Sequence, residues 1–312
     1  MPLLARKKTI LAKIEGTYGT DSVPTGSANA ILVRNLDLTP QETDFADRDL
    51  IRSYFGNSEQ LAGASRGMLS FEVEMSGSGA AGTAPAYGPL LRACAMSETI
   101  VVSTTVTYAP ISSAIEAVSI YFNVDGVFHK FLGVRGNVSL SWSIKNIPVY
   151  RFTFTGLYVA VADAAIPTPV YTGFTKPLVV SNINTTPFTL HGFSAVASDL
   201  SIDLGNQVIH RSLIGGSESV LITDRKMTGS VTIEATTVAA KDWFAICKAA
   251  TLGALDITQG TVAGNKVQFV SISTAVQLSN PRYSEQDGIQ MLQMDLRFVP
   301  TSGNDEFSIV VK

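Results

Sequence analysis

Apolar and polar residues alternate over much of this chain. From Leu69 to Met75, Leu69, Phe71, Val73 and Met75 fall on one side and Ser70, Glu72 and Glu74 on the other, the period of a half-buried strand. Between Ile289 and Val299, Leu292, Met294, Leu296 and Phe298 oppose Gln293, Asp295 and Arg297. Val118 to Val124 is apolar and β-branched, and Asp125-Gly126 turns it into Val127–Val134, the strongest local signal for a hairpin. Further strands are expected at Val138–Ile144, Val149–Val161, Val231–Glu234 and Val267–Ile272, with the first at Ala30–Val33 running on to Leu38. Residues 1–30 read as an arm. Thr39 to Asp49 has too few apolar residues to pack and reads as an exposed loop or hairpin tip. Two short helices are expected. Pro89 starts one before Leu90 and Cys94, after a flexible Gly/Ala/Ser loop at 76–88, and Asp242–Cys247 forms the other.

Arg52-Ser53-Tyr54-Phe55-Gly56-Asn57-Ser58-Glu59 returns 159 residues later as Arg211-Ser212-Leu213-Ile214-Gly215-Gly216-Ser217-Glu218. At the same offset Leu61 meets Val220, Arg66 meets Arg225 and Met68 meets Met227, so that seven of seventeen positions from Arg52 to Met68 are identical. Background residue frequencies give roughly one. The chain reads as one strand-rich domain written twice. Strand-rich units bury a sheet face as sandwiches or barrels. The expectation is therefore a mainly β protein of two tandem β-sandwich or barrel domains, each with one short helix. The first spans 1–165 with its arm, a proline-bearing linker spans 166–187, and the second spans 188–312.

Composition narrows the function. Charged residues make up 16% of the 312, against a usual ~25%, which suits a chain that hides surface in an assembly. A net charge of -3 offers no basic field for holding nucleic acid. Two cysteines are too few for a disulfide framework. No secretory signal and no run of 18 apolar residues is visible, so a cytoplasmic protein that spans no membrane is expected.

No catalytic constellation emerges. Gly77-Ser78-Gly79-Ala80-Ala81-Gly82 spells a dinucleotide fingerprint, but Pro85 and Pro89 keep the chain out of helix where the pyrophosphate would need a helix N-terminus. His129, His191 and His210 lack partners at metal-ligand spacing. His129 is expected at the surface and His210 in an exposed excursion. Cys94 and Cys247 fall on corresponding helices and, with Trp142 and Trp243, read as core. No metal or cofactor is expected.

Ile10-Leu11-Ala12-Lys13-Ile14-Glu15-Gly16-Thr17-Tyr18-Gly19-Thr20-Asp21 with Pro24-Thr25, the Gly-rich run into Pro89-Leu90-Leu91-Arg92-Ala93-Cys94, and Arg151-Phe152-Thr153-Phe154-Thr155-Gly156 together resemble tail tube (major tail) proteins of long-tailed phages, of the duplicated-domain, non-contractile type. The resemblance covers nearly the whole chain. It implies a non-enzymatic virion protein, made in the host cytoplasm, whose rings hold three chains and six domain positions and stack into a hollow tube. Its implied partners are further copies of itself, the tape-measure protein, the tail terminator and distal tail proteins, with DNA passing transiently and no membrane contact. The alternative is a carbohydrate-binding or adhesin-like β-sandwich module.

A tube that passes DNA should avoid a basic wall, because each neutralised phosphate strengthens binding. Glu72, Glu74, Glu234 and Asp295 point away from the core by period-two alternation and are expected to line the channel. Arg6, Lys7 and Lys8, with Glu42, Asp44, Asp47 and Asp49, are expected on segments that reach neighbouring subunits.

Overall fold

A computed structural model describes residues 2–312. Its first half contains β1 (Lys8–Ile14), α1 (Gly26–Asn29), β2 (Ala30–Ile31), β3 (Arg34–Ala46), β4 (Leu61–Glu74), α2 (Gly88–Arg92), β5 (Met96–Val101), β6 (Thr105–Pro110), β7 (Val118–Val124), β8 (Val127–Ser143), β9 (Val149–Tyr158) and β10 (Ala162–Asp163). The second half continues with β11 (Thr185–Leu190), β12 (Phe193–Ser194), β13 (Ala197–Asp203), β14 (Asn206–Leu213), β15 (Ser217–Arg225), β16 (Thr228–Glu234) and α3 (Trp243–Ala249). It ends with β17 (Leu252–Gly253), β18 (Leu255–Gln259), β19 (Val267–Val270), β20 (Val276–Gln286), β21 (Ile289–Phe298) and β22 (Ser308–Val311). The protein is mainly β, built from antiparallel sheets with three short helices among the described residues.

The segment read as an N-terminal arm contains a core strand. Ile10, Leu11 and Ala12 are buried, and β1 pairs with β7 from Lys8↔Val124 to Ile14↔Val118. A run buried on both faces carries no alternation, so it escaped a period-two search. Asp125 and Gly126 take φ of 40° and 104°, as a tight hairpin between β7 and β8 requires.

β8 is the organising strand. Its first half pairs with β7, its second half with β13, and β9 runs along most of its other edge. A register shift between Leu132 and Arg135 bends it from one layer into the other, the usual work of a bulge. Gly136 sits at this bend, where a Cβ would lie 2.4 Å from Thr153 O. In the second half of the chain the same course is divided between β19 and β20, which belong to different sheets. The layers close on aromatic side chains. Phe152 stacks on Phe154 at 5.5 Å, and Phe269 lies edge-on to Trp142 and Phe298. Trp142 and Trp243 are buried as expected.

Through β8 and β13 one sheet runs unbroken in the order β3, β4, β9, β8, β13, β16, β21, β20. A second sheet joins β19 to β6 through β22, so both sheets cross from the first half to the second.

Other expectations need correction. The glycine loop at 76–88 is tied down: Gly79 N donates to Gly264 O at 2.8 Å and Gly77 N to Asn265 Oδ1 at 3.0 Å. The proline-bearing connection is anchored where Lys145 N donates to Val180 O and Val180 N to Asn146 O. Cys94 is buried but Cys247 only half-buried, and both are free thiols. His129 is half-buried, and desolvation lowers its pKa from the ordinary imidazole value.

Candidate functional site

The unbroken eight-strand sheet buries one face and presents a polar one. Leu69, Phe71, Val73, Val138, Leu140, Leu200, Ile202, Val231, Ile233, Met294 and Leu296 point into the core, so the residues between them point outward. Register carries one outward row from Glu72 to Arg151, Ser139, Asp203, Thr228, Arg297 and Gln277. The neighbouring row holds Ser141, Ser201, Ser230 and Asp295, and the Ser201 and Ser230 hydroxyls hydrogen-bond at 2.9 Å. The central strands of this face carry small hydroxyl side chains interspersed with Asp199 and Asp203.

All four carboxylates expected on a channel wall lie on this face, in different electrostatic states. Glu72 is only 5% exposed. It accepts from Arg34 Nε at 2.9 Å, Asn35 Nδ2 at 2.8 Å and Arg151 Nη2 at 2.7 Å. Burial works to raise its pKa, but the hydrogen bonds from Arg151, Arg34 and Asn35 outweigh it and hold it below the usual glutamate value. Glu72 is therefore an anion neutralised by Arg34 and Arg151 on this face. Asp295 accepts from Arg282 Nη2 at 2.6 Å and Asn280 Nδ2 at 2.8 Å. Glu74 lies 3.8 Å from Arg34. Glu234 is exposed and, among the described residues, has no cation within 4.0 Å.

Sequence reasoning missed Asp37, Asp199 and Asp203 on the same face. Asp203 accepts from Asn137 Nδ2 at 2.6 Å. The alternation Asp199-Leu200-Ser201-Ile202-Asp203 was the available signal. With these three, the carboxylates of the face outnumber its guanidiniums, which belong to Arg34, Arg151, Arg282 and Arg297.

Two hairpin arms extend from one end of this sheet. β3 and β4 continue past it and pair as far as Ala46↔Leu61. β14 and β15 form a separate two-stranded sheet beyond β13 and β16. The chain kinks there at Gly205 (φ 64°), where a Cβ would stand 2.2 Å from Lys226 O. The repeated motif thus marks two hairpin tips. Phe55 and Ile214, at equivalent positions, are each 106% exposed.

The β14–β15 arm folds back across β8 and β9. Arg135 donates to Val220 O at 2.9 Å, Ile115 O at 2.6 Å and Glu116 O at 3.2 Å, and its guanidinium lies 4.7 Å from the Tyr18 ring centroid. Asn206 Nδ2 donates to Cys94 O at 2.8 Å. His210, expected in an exposed excursion, has its side chain largely covered, with Nε2 2.8 Å from Glu218 Oε1. Among the described residues the β3–β4 arm has no such bed.

The charges expected on reaching segments are mostly engaged at home. Lys8 opens β1, Lys7 Nζ lies 3.4 Å from Asp125, and Leu4 N donates to the same carboxylate at 2.7 Å. Arg6 is exposed. Glu42 and Asp44 both clamp Arg66 at 3.1 Å, and Asp47 accepts from Gln60. Asp49 is exposed.

An apolar cleft of about 390 Å³ lies between residues 180–188 and β13, with Trp142, Val180, Phe188, Val196, Leu200 and Ile257 on its wall. Asp199 is the single titratable residue lining it, so it holds no acid–base pair. Among the described residues, no group of three or more His, Cys, Asp or Glu is placed to hold a metal ion, and no helix is long and apolar enough to cross a membrane. No curated protein matches the chain in sequence. The family described as phage tail tube protein matches residues 5–298, so a polar-faced sheet flanked by exposed arms occurs in a chain that belongs to the phage tail tube proteins.

Proposed function

We propose that three copies of this chain close into a ring and that such rings stack into the hollow tube through which phage DNA passes to the host. In this reading the chain is a structural subunit without catalytic activity, and its two halves, 1–165 and 188–312, occupy alternate places in a pseudo-six-fold ring. The observation that carries it is the eight-strand sheet with one polar face and two open edges. Among the described residues β3 pairs with β4 alone, and Leu278 to Gln286 of β20 pair with β21 alone. Exposed edges are normally blunted or covered, and joining β3 of one copy to β20 of the next removes both at once. A closed ring needs such unlike, mutually fitting edges on every copy.

The polar face then becomes the channel wall. Glu234 supplies its free negative charge, Glu74 lies beside Arg34, and Glu72 and Asp295 are held by arginines and contribute little. Hydroxyl side chains and an excess of carboxylates give DNA few cations to hold it by counterion release. The N-terminal residues around Arg6 and the acidic β3–β4 arm are the segments proposed to reach neighbours, and the tape-measure, terminator and distal tail proteins are its proposed partners in the virion tail.

Negative-stain microscopy of the concentrated protein tests this. Rings with six similar lobes and true three-fold symmetry, singly or stacked, are expected. Compact monomers at every concentration, even with terminator and tape-measure proteins present, refute it. Six chains in one ring refute the stoichiometry.

A further inference from the structure

The chain holds one completed contact and the two unmatched halves of a second. At equivalent positions of the repeat, Val220 of the β14–β15 arm is fully buried on β8 and β9, whereas Leu61 of the β3–β4 arm is 55% exposed. The surface equivalent to that bed is empty as well. Register through Glu74↔Val149 and Glu234↔Met291 aligns β9 with β21, and through them Gly136 with Leu278 and Arg135 with Gln277. At this place the second half of the chain has an open groove of about 830 Å³, lined by Lys226, Gln277, Ser279, Arg297, Phe298 and Pro300 among others.

Charge matches as well as shape. The bare arm carries Glu42, Asp44, Asp47, Asp49 and Glu59 against Arg48, Arg52 and Arg66. The groove offers Arg297, exposed in the lone chain, with Arg225 and Lys226, the latter 3.2 Å from Asp224, against the single carboxylate Asp295 on its wall. Complementary surfaces of this kind steer encounter and fix register.

We propose that the β3–β4 arm of one copy lies in the β20–β21 groove of the next, repeating between chains the contact that β14–β15 makes on β8–β9 within one. This inference rests on the ring reading and assigns its interface. It also fixes how β3 meets β20. Within the chain Ser201 stands opposite Ser141. Ser201 is equivalent to Asp37 through Ser230 and Ser70, and Ser141 to Ser284 through Val149 and Met291. Asp37 of one copy therefore stands opposite Ser284 of the next.

Two experiments test the assignment in the full-length chain. In a Cys247→Ser background, Asp37→Cys with Ser284→Cys should give disulfide-linked oligomers on oxidation of assembled rings, and Gln41→Cys with Ser284→Cys should not. Leu61→Asp, exposed in the lone chain, should leave the melting temperature unchanged and raise the concentration needed for rings at least tenfold. Rings formed by Leu61→Asp at the wild-type concentration, or assembled rings of the Asp37→Cys, Ser284→Cys variant in which the two introduced thiols do not join, overturn this interface while leaving the ring reading intact. Wild-type protein that never forms rings overturns both.

Discussion

Arg135→Ala should loosen the second arm from its bed. The guanidinium holds three backbone carbonyls at 2.6, 2.9 and 3.2 Å and stacks on Tyr18. A hydrogen bond to a charged group contributes about 1.5–3 kcal/mol, and stacking on an aromatic face about 1 kcal/mol. Against this, burial of the cation lowers the Arg135 pKa, and truncation returns that desolvation cost. Two strong bonds and the stacking, less the desolvation recovered, leave a net loss of about 3 kcal/mol. The unfolding entropy of a chain this size is about 0.65 kcal/mol per kelvin, so Tm should fall by about 5 °C if unfolding is a single transition. If only the arm opens, the bond to Val220 O is the one lost with it, about 1.5–3 kcal/mol, which raises the open population roughly ten- to a hundredfold, and trypsin should cut at Arg211 correspondingly faster. Arg135→Lys keeps the charge but cannot span three carbonyls and should fall between the two. A Tm within about 1 °C of wild type, together with unchanged cleavage at Arg211, would refute the view that this side chain pins the arm.

Three further outcomes are expected. The Glu72 pKa is lowered in the fold, so its stabilisation is present above the unfolded value near 4.5 and lost as pH falls through the folded one; Glu72→Gln should flatten the acid limb of a Tm-against-pH curve. Gly67→Ala places a Cβ 1.9 Å from Cε1 of the buried Phe131, and overpacking of that kind costs about 1–3 kcal/mol, read as a Tm loss of about 2–5 °C. In particles that still assemble, Glu74→Lys with Glu234→Lys should slow DNA ejection, most at low salt; unchanged ejection kinetics would count against a carboxylate-lined channel.

The sequence showed what is local and periodic. Alternation located β4 and β21 and told their inward from their outward residues, and Asp125-Gly126 located the β7–β8 turn. It did not show β1, whose buried run has no period. Nor did it show that β8 is one strand of 17 residues, because a bulge interrupts its pattern. Self-similarity paired two stretches that the fold places at hairpin tips, but did not show their different fates. That difference arises at Gly205 and Lys226, where the second hairpin kinks away from the sheet, and from the bed that Arg135 provides. The pairing of β8 with β13 joins segments far apart in the chain, and no local pattern reports it. For the channel residues, direction was legible but charge state was not, since Arg34 and Arg151 reach Glu72 only in the fold.

β22 lies between β19 and β6, and so bridges strands from both halves. During synthesis this makes one sheet wait. β5 and β6 emerge early, yet their open edge has no partner until Val311 has been made. Loop closure over such a span is slow relative to forming a local hairpin. A nascent chain therefore carries an unsealed edge along Val106, Thr107 and Tyr108 until β22 is in place. A chain cut short before β22 would keep the edges of β6 and β19 bare, and the two halves of the second sheet would be left unjoined.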